Sequence, residues 1–371
     1  MRALGQGRDL SSRVAALETR VRRDQERWGR RRVKWLDDRA QLVRRKALLH
    51  REVPSKDALR ELLPLRARTV AARAAHAGAA DSDARLQAVS TPYREAIAAL
   101  AQPRDDLAAT SLLGVTWWVP LPPSLRGAAR DRFIAEQRFP FRTLTQTREF
   151  AGGPIMLDIG ANIGRMSIPR VILGDFTRAY CVEPDPLNYA ALVRNVAANG
   201  LRGLVLPDQA AIGATTGRAQ LEQGKYPGSQ RLVGSERAGE TTIEVPCFTL
   251  DDWCRRLSID PELVHYVKLD TQGWELYVLQ GALELLRHRH IAWQIEIAPD
   301  FLQAAGTPAQ TLFEFCAEHF TDFIDLDKTA VGPRVRSTRE LAASLDYLVG
   351  RKAPTDVILF NRNSPATSSF R

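Results

Sequence analysis

Carboxylates recur at or near the ends of apolar runs in the second half of this chain. Asp158 stands in Ile155-Met156-Leu157-Asp158-Ile159-Gly160, Glu183 in Tyr180-Cys181-Val182-Glu183-Pro184, and Asp208 after the apolar residues 203–207. Asp270 follows Val267-Lys268-Leu269, and Glu296 lies in Trp293-Gln294-Ile295-Glu296-Ile297. A carboxylate at a strand tip can accept hydrogen bonds from hydroxyls, attract a cation, or take up a proton. In an open sheet of parallel strands, ligands bind beyond the carboxyl ends of the strands, where these residues would gather.

The turn after Asp158 reads Gly160-Ala161-Asn162-Ile163-Gly164. A strand, a glycine turn, a helix and a second strand tipped by Glu183-Pro184 make the signature of a nucleoside-binding βαβ unit. A dinucleotide fingerprint needs a glycine where Ala161 stands, so that a pyrophosphate can approach the backbone. Asp158, read as facing the cavity, would repel a phosphate and attract a sulfonium. The expected ligand is therefore S-adenosylmethionine. Gly160, Ala161, Asn162 and Gly164 are expected to form its loop, and Glu183 to accept both ribose hydroxyls. Asp208 would accept the adenine amino group or merely start a turn after Pro207.

Asp270 is placed to orient an acceptor hydroxyl or remove its proton. Gly273 permits a sharp turn into a helix opened by Glu275, whose charge suits a helix N-terminus. Glu296 ends a very apolar strand, where an unpaired charge is costly, and is a second candidate for holding the acceptor. Which of Asp270 and Glu296 is the base stays open. His265, His288 and His290 lie away from the strand ends and are read as structural or solvated. Four cysteines without a C-x-x-C pair, and histidines not clustered in sequence, lead us to expect no metal and a reducing cytoplasm.

The elements that position these residues follow from the alternation of apolar runs and helical periods. Strands are expected at 155–159, 178–183, 203–207, 264–269, 291–297, 322–326 and 355–361, with helices at 164–174, 186–199, 274–287, 308–320 and 338–349. Short connections between them predict a doubly wound, mostly parallel α/β sheet. Two hairpin-like strands, 218–222 and 241–246, enclose a Gly- and Ser-rich stretch, 224–239, read as a mobile loop near the site.

Residues 151–363 form this catalytic domain, and 364–371 read as a disordered tail. Residues 103–150 are a cover segment, with one buried strand at 112–119 and a helix near 124–136. Residues 54–102 are Ala-rich and helical by propensity, broken at Pro64, at Gly78 and before Pro92. Residues 1–53 read as a basic, coiled-coil-like helix: Val14, Val21, Trp28, Trp35, Leu42 and Leu49 recur every seven residues. The second seam is apolar only at Leu10 and Leu17. Over residues 12–52 four readings stay open: a homo-oligomer seam, an acidic partner, an anionic membrane surface, or a solvated helix with no partner.

The net charge of +9 lies within the first fifty residues, leaving the remainder balanced. A neutral body argues against nucleic acid as substrate, as does the lack of an N-P-P-Y or D-P-P-Y motif at the fourth strand. An Arg-dense start without an apolar core predicts no secretory leader, and the Pro-interrupted window 107–125 predicts no spanning helix.

Taken together, MLDIGANIGRMSIP, CVEPDPLNYAALVRNVAANG, TLDDW at 249–253, VKLDTQGWELYVLQGA and QIEIAP resemble the FkbM family of S-adenosylmethionine-dependent methyltransferases over roughly residues 150–361. The resemblance implies a class I methyltransferase sheet with an antiparallel last strand. It implies O-methylation of a hydroxyl on a sugar, glycoconjugate or natural product. It places Asp158, Gly160, Asn162 and Gly164 in the cofactor loop and Glu183 on the ribose. Asp270, Gln272, Gly273 and Glu275 form the acidic motif near the acceptor, with Gln272 on the cofactor side. An NAD(P)-binding oxidoreductase and a non-catalytic scaffold with a retained nucleoside-binding domain are the rival readings.

Overall fold

The computed structural model describes residues 60–64, 66–68, 70, 81–122, 124–135, 137, 140–224, 230–234, 242–327, 334–348 and 354–362. The basic helix of residues 1–53, Gly78 and the tail 364–371 lie outside the described residues.

Before the sheet come α1 (Asp81–Val89), α2 (Thr91–Ala98), β1 (Leu107–Leu112), β2 (Val115–Pro120), α3 (Gly127–Ala135) and α4 (Phe141–Gln146). The single strand expected at 112–119 is instead a hairpin. Leu113 and Gly114 have φ of 55° and 76°, the two left-handed residues that a tight hairpin turn demands. Two asparagines dock its outer strand. Asn195 bonds the backbone N–H and C=O of Trp118, and Asn199 bonds those of Thr116 at 2.9 and 2.8 Å. Their carboxamides thus serve strand β2 as a neighbouring strand would.

The second half runs β3 (Gly153–Ile159), α5 (Ser167–Leu173), β4 (Phe176–Val182), α6 (Pro186–Ala198) and β5 (Val205–Asp208). There follow β6 (Ala211–Ile212), β7 (Gly217–Glu222), β8 (Arg231–Val233), β9 (Thr242–Phe248), α7 (Leu250–Arg256) and β10 (Val264–Leu269). The last elements are α8 (Glu275–Gln280), β11 (Ala292–Ile297), α9 (Pro299–Ala304), α10 (Ala309–His319), β12 (Asp322–Asp325), β13 (Arg336–Ser337), α11 (Leu341–Ser344) and β14 (Thr355–Phe360).

Among the described residues the central sheet has the order β13-β12-β14-β11-β10-β3-β4-β5. Strands β5, β4, β3, β10 and β11 are parallel, and β14 returns antiparallel beside β11, as expected. The order reverses between β3 and β10, which is where such sheets open a ligand crevice.

Local chemistry accounts for the element ends. Asp185 caps α6 by accepting from the N–H groups of Leu187 and Asn188, with Pro186 in the first turn, and Gly174 ends α5 at φ 73°. The helix expected at 274–287 stops at Gln280 and resumes only as a 3-10 turn at Leu285–Arg287. Gly281 comes so close to the Gly213 carbonyl that an added Cβ would sit 2.1 Å from its oxygen. The helix expected at 338–349 is split into 3-10 turns around α11. Part of the stretch read as a mobile loop, β8, pairs with β7 instead, in a second sheet ordered β6-β9-β7-β8. Among the described residues no helix is long and apolar enough to cross a membrane.

Candidate functional site

A cleft opens at the carboxyl ends of β3, β4 and β10, roofed by β7 and β8. The structure brings seven of the expected site residues to it: Gly160, Asn162, Glu183, Pro184, Asp270, Gln272 and Glu296. Asp158, Ala161, Gly164, Asp208 and Glu275 do not line it.

Asp158 requires a correction. Side chains alternate along a strand. Ile155, Leu157 and Ile159 join one core cluster, and Met156 joins the other. Asp158 therefore points to the Met156 face. There it lies in register with Lys268 of β10, 1% exposed, with Oδ2 lacking a hydrogen-bond partner among the described residues. Burial pushes its carboxyl up, against the pull of the Lys268 ammonium and Ser167. It is not the charge that a cation in the cleft would meet.

Asp208 is likewise committed elsewhere. Its oxygens accept from Ser90 Oγ at 2.8 Å, from Trp253 Nε1 at 2.9 Å and from the Arg256 guanidinium. It ties α2 and α7 to the sheet, and all three donors lie far off in sequence. Glu275 braces the loop at the tip of β10, accepting from Thr271 N and Oγ1 and from Gly273 N at 2.9, 3.0 and 3.3 Å.

The glycine turn spends its amides internally. Gly160 and Ala161 both donate to Val182 O at 3.0 Å, Gly164 donates to Ala161 O, and Asn162 donates to Glu183 Oε2 at 2.8 Å. None of these four N–H groups is left for a pyrophosphate. Gly160, at φ +76°, is forced by close approach: a Cβ there would lie 2.0 Å from Asp270 O. Gly160→Ala should therefore push the tips of β3 and β10 apart. A strained left-handed residue alone costs about 1–3 kcal/mol, and the clash adds to it. We expect a melting temperature several degrees lower together with impaired cleft chemistry. Calorimetric unfolding that matches the parent would show that the two tips do not meet.

Glu183 Oε1 accepts from Asp185 N at 3.0 Å, and Asn188 Nδ2 stands 3.5 Å away. Burial pushes its carboxyl up to about 8, although the N–H groups of Asp185 and Asn162 hold it back. Asn188, which sequence reasoning missed, lines the cleft with a buried Oδ1 that meets no donor among the described residues. Its signal was local: Asp185-Pro186 fixes the helix start, and position 188 falls on the first turn beside the Glu183 tip.

At the other end of the cleft Gln272 Nε2 bridges Asp270 Oδ1 at 3.0 Å and Glu296 Oε2 at 3.1 Å. Lys268 Nζ lies 2.7 Å from Asp270 Oδ2 and is 6% exposed against 34% for the carboxylate. Burial pushes Asp270 up, but the Lys268 ammonium and the bonds from Lys268 and Gln272 outweigh it, and the net shift is downward. Burial and the Asp270 charge push Glu296 up to about 9. Near neutral pH the pair is thus one ionised and one neutral carboxyl. Lys268 was also missed, though the pleat places it on the same face as Asp270 two residues on. Gln272, at φ 56°, holds a left-handed conformation that only a constrained turn maintains.

Residues 158–327 match the family model described as Methyltransferase FkbM domain. The resemblance read from the sequence is borne out over that stretch, and the strand order is that of a class I methyltransferase. Solved structures with partial likeness include a methyltransferase FkbM from Methylobacillus flagellatus KT, 18% identical with TM-score 0.36, covering 57% of this chain and 44% of that one. The chain thus spans less than half the length of that protein. M. jannaschii TYW2 in complex with AdoMet is 11% identical with TM-score 0.33, covering 69% and 86%. M. capricolum TrmK in complex with S-adenosyl-homocysteine is 15% identical with TM-score 0.29, covering 60% and 68%. No curated protein matches the chain. The matched stretch holds every residue that lines the cleft, and residues 103–150 lie outside the match.

Proposed function

We propose that this chain is an S-adenosylmethionine-dependent methyltransferase that transfers a methyl group to a hydroxyl of a sugar, glycoconjugate or natural product. The observation that carries the reading is the cleft with Glu183 at one end and the Asp270–Gln272–Glu296 cluster at the other.

The residues present fit the cofactor. Glu183 and the orphaned Asn188 Oδ1 offer acceptors to a ribose diol. The internal bonding of the Gly160, Ala161, Asn162 and Gly164 amides supports a ligand without a pyrophosphate, against the NAD(P) alternative. When bound, S-adenosylmethionine supplies an already activated sulfonium methyl. Asp270, not Asp158, is the carboxylate that lines the cleft and is held in its ionised form by Lys268.

The chain's own part is placement and proton handling. Holding an acceptor oxygen in line with a methyl can be worth up to ~7–11 kcal/mol. Asp270 would accept the hydrogen bond of an acceptor hydroxyl and so orient its lone pair. Its low pKa makes it a weak base towards a free hydroxyl. An acceptor oxygen that received the methyl would become strongly acidic, and even a weak base such as Asp270 would then take its proton. Glu296, neutral near pH 7, keeps Asp270 the single charged carboxyl of the pair through Gln272.

Thermal unfolding with S-adenosylmethionine, S-adenosylhomocysteine, NAD and NADP separates the readings. A rise with the first two alone is expected, because a ligand that binds only the folded state raises its stability. A rise only with a dinucleotide would overturn the assignment. Mass spectrometry of surface glycans and metabolites from a strain lacking the protein, scanned for the loss of one methylene, then identifies the acceptor.

A further inference from the structure

The histidines that sequence reasoning left without a role gather at the opposite ends of the central strands. Glu262 lies in the 3-10 turn Pro261–Leu263 that leads into β10. His288 ends the turn Leu285–Arg287, and His290 stands just before β11. One ligand atom from each of the three lies within 4.8 Å of the others, and His288 Nδ1 is 3.1 Å from Glu262 Oε1. Independently, His290 Nε2 is shut off from solvent and has no hydrogen-bond partner among the described residues. A ring nitrogen so enclosed loses its water without gaining a partner, which costs free energy unless something binds it. The His265 ring lies beside it, 5.2 Å between centroids.

We propose that Glu262, His288 and His290 form a divalent transition-metal site of the zinc type. Two imidazoles and a carboxylate are a donor set for this ion, with water or His265 completing a tetrahedron at about 2.0–2.1 Å from each nitrogen. The separations within the cluster ask for small side-chain movements to reach that geometry. All four cysteines are buried in the folded protein and do not compete for the ion. The site lies at the amino ends of β10 and β11, remote from the cleft at their carboxyl ends. An ion here would clasp the two turns that launch these central strands, a stabilising rather than a catalytic role.

The test is titration of the full-length chain with zinc chloride, followed by calorimetry and thermal unfolding, with cobalt(II) absorption as a report of ligand geometry. The expected result is one equivalent bound, a melting temperature raised by several degrees, and a tetrahedral cobalt spectrum. Affinity should fall more than tenfold in His288→Ala/His290→Ala and in Glu262→Ala. The Glu262 side chain is 72% exposed, so the latter variant tests the site without threatening the fold. No saturable binding up to ~1 mM zinc, or affinity in both variants equal to the parent's, would overturn the proposal.

Discussion

Asp270→Asn is expected to lower turnover by about 10²–10⁴-fold, the usual worth of a positioned proton acceptor, while S-adenosylmethionine affinity stays within a few-fold of the parent. The substitution keeps shape and hydrogen-bonding capacity but removes the charge that faces Lys268 at 2.7 Å. Lys268 is buried, and loss of this partner leaves it beside Asp158 and Asp356 alone. The melting temperature must therefore be measured alongside turnover, to separate lost chemistry from lost stability. With the negative Asp270 gone, Glu296 also loses the neighbour that discourages its ionisation, and its carboxyl should titrate lower. Parental turnover in the Asp270→Asn variant would remove Asp270 from the reaction.

The second large effect concerns Glu183. Glu183→Gln should weaken S-adenosylmethionine binding more than tenfold, about 1.4 kcal/mol or more, by removing one of the two oxygens offered to the ribose. The parent should also bind in a pH-dependent way. Its carboxyl, raised from an ordinary 4.5 to about 8 by burial, is largely protonated at pH 6.5 and ionised at pH 9. Only the ionised form accepts from both hydroxyls, so the dissociation constant should fall as pH rises to about 8 and level off above it. In the Gln variant this dependence should vanish. The same shift has the opposite sign for the unliganded fold. Between pH 4.5 and about 8 the folded protein holds a proton that the unfolded chain releases, so this group's contribution to stability declines as pH rises through that window. Isothermal calorimetry at several pH values reads both the affinity and the proton released. A flat profile in the parent would sink the ribose role.

Much of this molecule was legible in the chain. The apolar runs ending in Asp158, Glu183, Asp270 and Glu296 gave β3, β4, β10 and β11 to within two residues, because long apolar strands separated by helical periods have few alternatives. The hairpin at Leu107–Pro120 was not, because Leu113 is an unusual left-handed residue and nothing local announces it.

What the sequence determined by itself is the kind of sheet, the family to which residues 158–327 conform, and the set of carboxylates available to a ligand. Tertiary structure alone decided which of them face the cleft. The register of β3 against β10 set Asp158 beside Lys268, and the approach of Ser90, Trp253 and Arg256 consumed Asp208. Contacts between residues 45 or more positions apart set those outcomes, and burial together with the Lys268 ammonium then set which carboxyls carry charge. The physical reason is that a side chain's direction and its solvation are properties of its neighbours in space, and local periodicity does not encode them.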